Sequence, residues 1–264
     1  MKIALYQIDA FADKVFQGNP AAVCPLEEWL DVDLMQAIAV ENNLSETAFF
    51  VAAGDAAGDA YELRWFTPVA EVDLCGHATL ASAHVVFEHI DPNAGDVAFD
   101  TRSGRLSVTR GAGGLLTMDF PAQPGDEMEV GEEMTEALGA EPSHLFGGVD
   151  FMAVFERQSQ ISAIEPDQAA LKKLERRGVI ITAPGDEVDF VSRFFAPKHD
   201  IPEDPVTGSA HCMLTPYWAH RLGKNQLRAR QISPRGGNLD CALEGERVRI
   251  SGSASEYLKG EISL

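Results

Sequence analysis

The sequence predicts an α+β fold of two pseudo-symmetric halves, each a curved, mostly antiparallel sheet wrapped around one central helix. Three observations in the 264 residues lead there. One ordered set of parts occurs twice. Short alternating apolar runs, the signature of half-buried strands, dominate both occurrences. In each, a glycine opens the longest stretch with helical apolar spacing. A helix face and a sheet face must each bury against something, so one helix inside one sheet is the smallest arrangement that serves both.

Residues 1–10 read as a strand, 31–41 as a helix, and 47–52 and 61–66 as strands. Phe66-Thr67-Pro68 then leads through Glu71 and Asp73 to Gly76-His77-Ala78 and a helix running to about His89, apolar at 80, 83, 86 and 87. Strands at 97–99, 105–109 and 115–120 close this half, and the Pro- and Gly-bearing segment 121–126 reads as a linker. Halves of 1–122 and 123–264 follow. The second repeats the order: a helix at 166–176, strands at 179–182 and 188–195, Phe195-Ala196-Pro197, the acids Glu203 and Asp204, then Gly208-Ser209-Ala210. Its helix runs to 222, apolar at 210, 213, 214, 217 and 218, before strands at 226–232, 238–243, 247–252 and 257–264. Gly76 and Gly208 lie 132 positions apart, half the chain length.

Composition excludes several classes. With 21 basic against 41 acidic residues the formal charge is −20, unsuited to nucleic acid or an anionic membrane surface, since each phosphate contact needs a cation. No run approaches the ~18 apolar residues of a membrane span, and Asp9 interrupts any leader-like stretch. The four cysteines, at 24, 75, 212 and 241, form no Cys-x-x-Cys pair, which suits reduced thiols and a cytoplasmic protein. No dinucleotide fingerprint, P-loop, His-Glu-x-x-His or Gly-x-Ser-x-Gly elbow is present, so neither a nucleotide cofactor nor structural zinc is expected.

The duplication has a chemical consequence. Helix starts at Gly76 and Gly208, one per half, offer free backbone N–H groups and partial positive charge, and are expected to converge on a cleft as a cradle for a carboxylate or oxyanion. Glu46 stands between a helix end and an apolar strand; it is either a solvated turn acid or a cleft base with a pKa raised by apolar neighbours. Asp204 is either a turn residue ahead of proline or a second acid. Thr207 and Ser209 suit N-cap residues, and Ser209 alternatively binds the ligand. Cys75 is either a small buried hydrophobe or, at a helix N-terminus, a thiol of depressed pKa. His77 caps the helix, binds a carboxylate or relays a proton.

Four separated segments carry a resemblance: Gly18-Asn19-Pro20-Ala21-Ala22-Val23; Asn43-Leu44-Ser45-Glu46-Thr47-Ala48; Phe66-Thr67-Pro68 with Glu71 through Cys75-Gly76-His77-Ala78-Thr79; and Glu203-Asp204-Pro205-Val206-Thr207-Gly208-Ser209-Ala210. Together they resemble the PhzF family of phenazine biosynthesis proteins, in order along nearly the whole chain. The resemblance implies a diaminopimelate-epimerase-like fold and a cofactor-free isomerase of small carboxylic acids, usually a homodimer. Glu46 would be its general acid and base. His77, Asp204 and Ser209 would line its pocket, with Asn19, Cys75, Gly76 and Gly208 as further substrate-binding positions. Related epimerases use two facing cysteines; Cys75 matches the first and Asp204 takes the place of the second. A thiol-assisted epimerase and a non-enzymatic interaction protein on the same scaffold are the alternatives.

Overall fold

The computed structural model describes residues 1–54 and 60–264. They form two compact units, Met1–Asp119 with Ser251–Leu264, and Phe120–Ile250.

In the first unit β1 (Lys2–Ala10) pairs antiparallel with both β2 (Asn19–Pro25) and the last strand of the chain, β18 (Ala254–Ser263). β2 runs parallel to β3 (Glu46–Ala52), and β3 antiparallel to β4 (Ala60–Phe66). β4 carries the short β5 (Glu71–Val72) antiparallel at one end and runs parallel to β6 (Asp96–Thr101). β7 (Gly104–Arg110) and β8 (Leu116–Pro121) continue antiparallel. Helix α1 (Val32–Asn42) joins β2 to β3, and α2 (Gly76–Val85) leads towards β6.

The second unit repeats this pairing. β9 (Asp126–Met128), β10 (His144–Gly147) and β11 (Phe151–Val154) are antiparallel neighbours, and β11 runs parallel to β12 (Val179–Pro184). β12 is antiparallel to β13 (Phe190–Ala196), which carries β14 (Ile201–Asp204) and runs parallel to β15 (Gln226–Gln231). β16 (Gly237–Glu244) is antiparallel to β15, and β17 (Arg247–Gly252) follows. The helices are α3 (Glu132–Leu138), α4 (Gln158–Ala163), α5 (Gln168–Leu171) and α6 (Gly208–Leu222). The α+β fold of two alike units is therefore present strand for strand.

The central helices explain the wrapping. In α2 every residue from His77 to Val85 except His84 is buried, including 80 and 83 of the expected apolar face. A helix buried all round must suit its neighbours on every side, and Gly76, Ala78, Ala81 and Ala83 keep it thin enough. Its buried hydroxyls bond back one turn, Thr79 Oγ1 to the Cys75 carbonyl at 2.6 Å and Ser82 Oγ to the Ala78 carbonyl at 2.8 Å. In α6, Pro216 has no N–H, which orphans the Cys212 carbonyl four residues back. The Gln123 backbone N–H donates to that carbonyl at 2.9 Å, so the break is mended from outside the helix.

The duplication also places two matching ion pairs. Arg64 on β4 grips Glu71 on β5 through two hydrogen bonds of 2.7 and 2.9 Å and lies over Phe66. Arg193 on β13 grips Glu203 on β14 at the same two distances and lies over Phe195. Of the acids read in the repeated motif, Glu71 and Glu203 thus hold the strand ends together.

Three expectations are corrected. The helix at 166–176 shrinks to α5: Asp167 caps its start at the Ala169 and Ala170 N–H groups, and after Leu171 the chain tightens into i→i−3 bonds, Lys173 N–H to Ala170 and Leu174 N–H to Leu171, and leaves the α-helix. The strand at 257–264 begins at Ala254 and pairs with β1 of the first unit, so the division at 122/123 misassigns the last strand. β2, β9, β10, β11 and α3 escape the pattern reading: four are strands of three to seven residues, and α3 has only seven.

Candidate active site

The path to Glu46 starts at the end of α1. Asn43 takes a left-handed φ of 49° there, with its N–H on the Ala39 carbonyl, and ends the helix. Three residues later β3 begins with Glu46 itself, beside Ala21 of β2. β3 is paired on both sides and buried from Glu46 to Val51, so its one carboxylate enters the interior with an apolar strand behind it. Glu46 is 9% exposed, which rules out the solvated-turn reading.

Cys75 and His77 reach the same place from the start of α2. His77 Nε2 lies 2.9 Å from Glu46 Oε2, yet neither atom has an aligned hydrogen-bond partner. On the other edge of the ring, Nδ1 lies 3.3 Å from the Asn19 amide nitrogen and 3.5 Å from Cys75 Sγ. Asn19 is wholly buried at the start of β2, and its amide oxygen accepts from Ser45 Oγ at 3.1 Å. This chain suits both states of the imidazole. A neutral Nδ1 accepts from the amide NH2; a protonated one donates to the amide oxygen after a half-turn of the Asn19 side chain, with Ser45 then accepting.

Gly18 sets the position of Asn19. Its φ is +65°, and a Cβ there would stand 2.1 Å from the Ala10 carbonyl oxygen, so only glycine passes.

The electrostatics follow from burial. Burial opposes an imidazolium at His77, but the facing Cys75 and Glu46 groups outweigh it and hold its pKa well above the usual histidine value. Burial, then the Glu46 charge, pushes the Cys75 thiol up to about 11. The thiol is therefore uncharged near neutral pH, and Glu46 is the counter-ion of His77. Of the two readings of Cys75, this leaves the small buried hydrophobe and removes the depressed thiol: Cys75 is 6% exposed, and the helix end does not repay the loss of water around a thiolate.

In the second unit, β14 ends at Asp204 and α6 begins at Gly208. The Thr207 hydroxyl donates to Asp204 Oδ2 at 2.5 Å. Gln231 ties the loop by donating to the Asp204 carbonyl at 2.7 Å and accepting from the Thr207 N–H at 2.9 Å. Thr207 is the N-cap residue but makes no side-chain cap bond, contrary to the N-cap reading. Ser209 Oγ instead accepts from Arg177 Nη2 at 3.1 Å. Arg177 is held in turn by buried Asp150 through bonds of 2.9 and 2.6 Å. Arg177 and Asp150 carry no motif, and only the fold discloses them.

The structure thus gathers Glu46, Cys75, His77 and Asn19 in the first unit, and Asp204, Gly208 and Ser209 in the second. The twice-repeated sheet-and-helix fold holds, in its first unit, a buried carboxylate in contact with an imidazole.

The comparisons agree. A family model described as phenazine biosynthesis-like protein matches residues 8–260, and the chain belongs to this PhzF family. A Pseudomonas aeruginosa protein named an uncharacterised isomerase is 52% identical, with both chains fully covered. The crystal structure of an Enterococcus faecalis PhzF family protein superposes with a TM-score of 0.96 at 48% identity, again covering both chains fully. A hydroxyproline epimerase from Agrobacterium vitis shares the fold alone, with a TM-score of 0.65 at 11% identity over all of this chain and 93% of that one.

Proposed function

We propose that this chain is a cofactor-independent isomerase that moves a proton between two carbons of a small carboxylic acid. The observation that carries the reading is Glu46: a carboxylate buried at the head of an apolar strand, with Oε2 against His77 Nε2 and no aligned hydrogen bond. Such a group is costly to folding and suited to proton transfer.

In the proposed step, Glu46 takes a proton from a substrate carbon and the C–H electron pair moves into the conjugated carboxylate. Backbone N–H groups at the start of α2, from Gly76 and His77, stabilise the oxyanion; each well-placed donor of this kind is worth about 3 kcal/mol. Glu46 then returns the proton at the second carbon, with charge on His77 balancing the change at Glu46. In the second unit, Gly208 and Ser209 bind a carboxylate and Asp204 serves as a further acid. The reading includes a homodimer working in the cytoplasm.

The test is incubation of the protein in D2O with a library of cyclic and α-amino carboxylic acids. Solvent deuterium is expected in at least one compound with wild-type protein and in none with Glu46→Gln. Undiminished exchange in that variant would remove Glu46 from the mechanism. The thiol-assisted epimerase keeps one observation in its favour, Cys75 Sγ at 3.5 Å from His77 Nδ1. A thiol held at about 11 makes a poor base near neutral pH.

A further inference from the structure

The second residue of each central helix meets a different charge. In the first unit His77 follows Gly76 and meets Glu46; in the second Ser209 follows Gly208 and meets Arg177. Strand register shows why. Thr47 stands opposite Phe66 and Val179 opposite Phe195, the matching phenylalanines of the repeated motif, so the place held by Glu46 falls in the second unit to Gly178. A Cβ there would stand 2.6 Å from the Phe194 ring and 2.8 Å from the Phe195 carbonyl oxygen, which leaves no room for a side chain. The charged group comes instead from the residue before it, Arg177, with the opposite sign.

Arg177 is fixed from behind. Its Nε and Nη2 bond both oxygens of buried Asp150, at 2.9 and 2.6 Å, and the guanidinium lies over the Phe194 ring, 5.6 Å from its centre. Burial opposes the charge, but the bonds to Asp150, then the charges of Asp150 and Asp204, outweigh burial and keep Arg177 a cation. Since Asp150 neutralises it, the pair contributes direction and little net charge. Nη2 also donates to Ser209 Oγ at 3.1 Å. A guanidinium has donors only, so Ser209 Oγ accepts here and its own hydroxyl proton is left over. Among the described residues that proton has no acceptor.

We propose that Arg177, oriented by Asp150, is a positioning residue that directs the Ser209 hydroxyl proton to a carboxylate oxygen of the substrate. The inference rests on the reading above in which Ser209 binds a carboxylate, and it adds the two residues that give the hydroxyl its sense. A ligand offering an ammonium group at this place meets a hydroxyl already accepting from a cation, so the subsite favours acceptors.

The test reads binding apart from turnover. Sodium benzoate is titrated into nitrogen-15-labelled protein at constant ionic strength, and the amide signals of residues 208 and 209 give the dissociation constant. Ser209→Ala is expected to weaken benzoate at least ~10-fold, the weight of one hydrogen bond to a charged group. The paired variant Asp150→Asn/Arg177→Gln, which leaves no buried charge unmatched, should weaken it at least ~5-fold. Because Arg177 acts through Ser209, adding Ser209→Ala to that pair should give no greater loss than Ser209→Ala alone, whereas a merely structural loss would multiply with it. Unchanged affinity in the paired variant, or losses that multiply, would overturn the inference. Should the paired variant lose its far-ultraviolet circular dichroism, Arg177→Lys decides: it keeps the charge without the fork, and unchanged affinity there would also overturn it. On any compound that exchanges deuterium, the paired variant should raise KM with kcat kept within ~3-fold, and a loss confined to kcat would count against the proposal. No benzoate shift at residues 208 and 209 in wild type would remove this subsite and leave Glu46 to the deuterium test. The expected binding pattern without exchange in any compound would count against the isomerase reading alone.

Discussion

Oε2 of Glu46 and Nε2 of His77 sit 2.9 Å apart in a buried corner of the first unit without an aligned hydrogen bond. The contact couples the two protonation states. The Glu46 carboxylate supports the imidazolium, and once it is gone burial acts on His77 with less opposition. Glu46→Gln is therefore expected to lower the His77 pKa, followed by NMR titration of ring-labelled histidine. The same variant should fold normally and lose turnover by about 10²–10⁴-fold, the usual value of a positioned acid or base.

Cys75 separates the two enzymatic readings. With its thiol uncharged near neutral pH, Cys75→Ala should slow deuterium exchange no more than about 10-fold, far less than Glu46→Gln, measured side by side on one substrate. A larger loss for the cysteine variant would restore the thiol epimerase.

His211 governs part of the acid stability. It lies one turn into α6, with Nδ1–H donating to the Thr207 carbonyl at 2.8 Å, and burial pushes its pKa down to about 4 from 6.5. The unfolded chain binds the proton first, so stability present above pH 6.5 is lost as pH falls towards 4, on the order of 3 kcal/mol in total. His77 has the opposite sign: its raised pKa contributes stability that is full below pH 6.5 and lost as pH rises through the folded value. Urea melts between pH 4 and 7 should show the acid loss in wild type and a flatter profile in His211→Gln.

Arg193 illustrates the cost of breaking one of the matched ion pairs. Beyond Glu203 it donates to the carbonyls of Ile161 and Ile164 at 2.9 and 2.7 Å, and its side chain is 13% exposed. Arg193→Met leaves all three acceptors short of a donor and should cost about 3 kcal/mol in urea unfolding. Lys172→Met, on an exposed pair with Asp200, should cost well under 1 kcal/mol.

Gly18→Ala tests the approach to Asn19. The added methyl meets the Ala10 carbonyl in a left-handed backbone, so a loss of about 3 kcal/mol is expected. Fold stability and deuterium exchange should fall together in this variant, because the strain sits next to the amide that faces His77.

Much of this was legible in the order of residues alone. The duplicated arrangement and both central helices follow from local periodicity and short motifs, which report on neighbours along the chain, while Asn19, Glu46, Cys75 and His77 stood out through the segments that carry the family resemblance. Pro216 was equally visible, but its effect was not: it is tolerated because Gln123, far away in sequence, supplies the missing donor.

What only the tertiary structure decided concerns groups brought together from distant positions. β18 closing on β1, Arg177 linking Asp150 to Ser209, and Glu71 and Glu203 serving as strand fasteners are pairings no local pattern encodes. The state of Cys75 belongs with them. Residue type and helix position left a buried hydrophobe and a reactive thiolate both open; ionisation depends on how much water the fold leaves around the sulfur, and burial decided for the first.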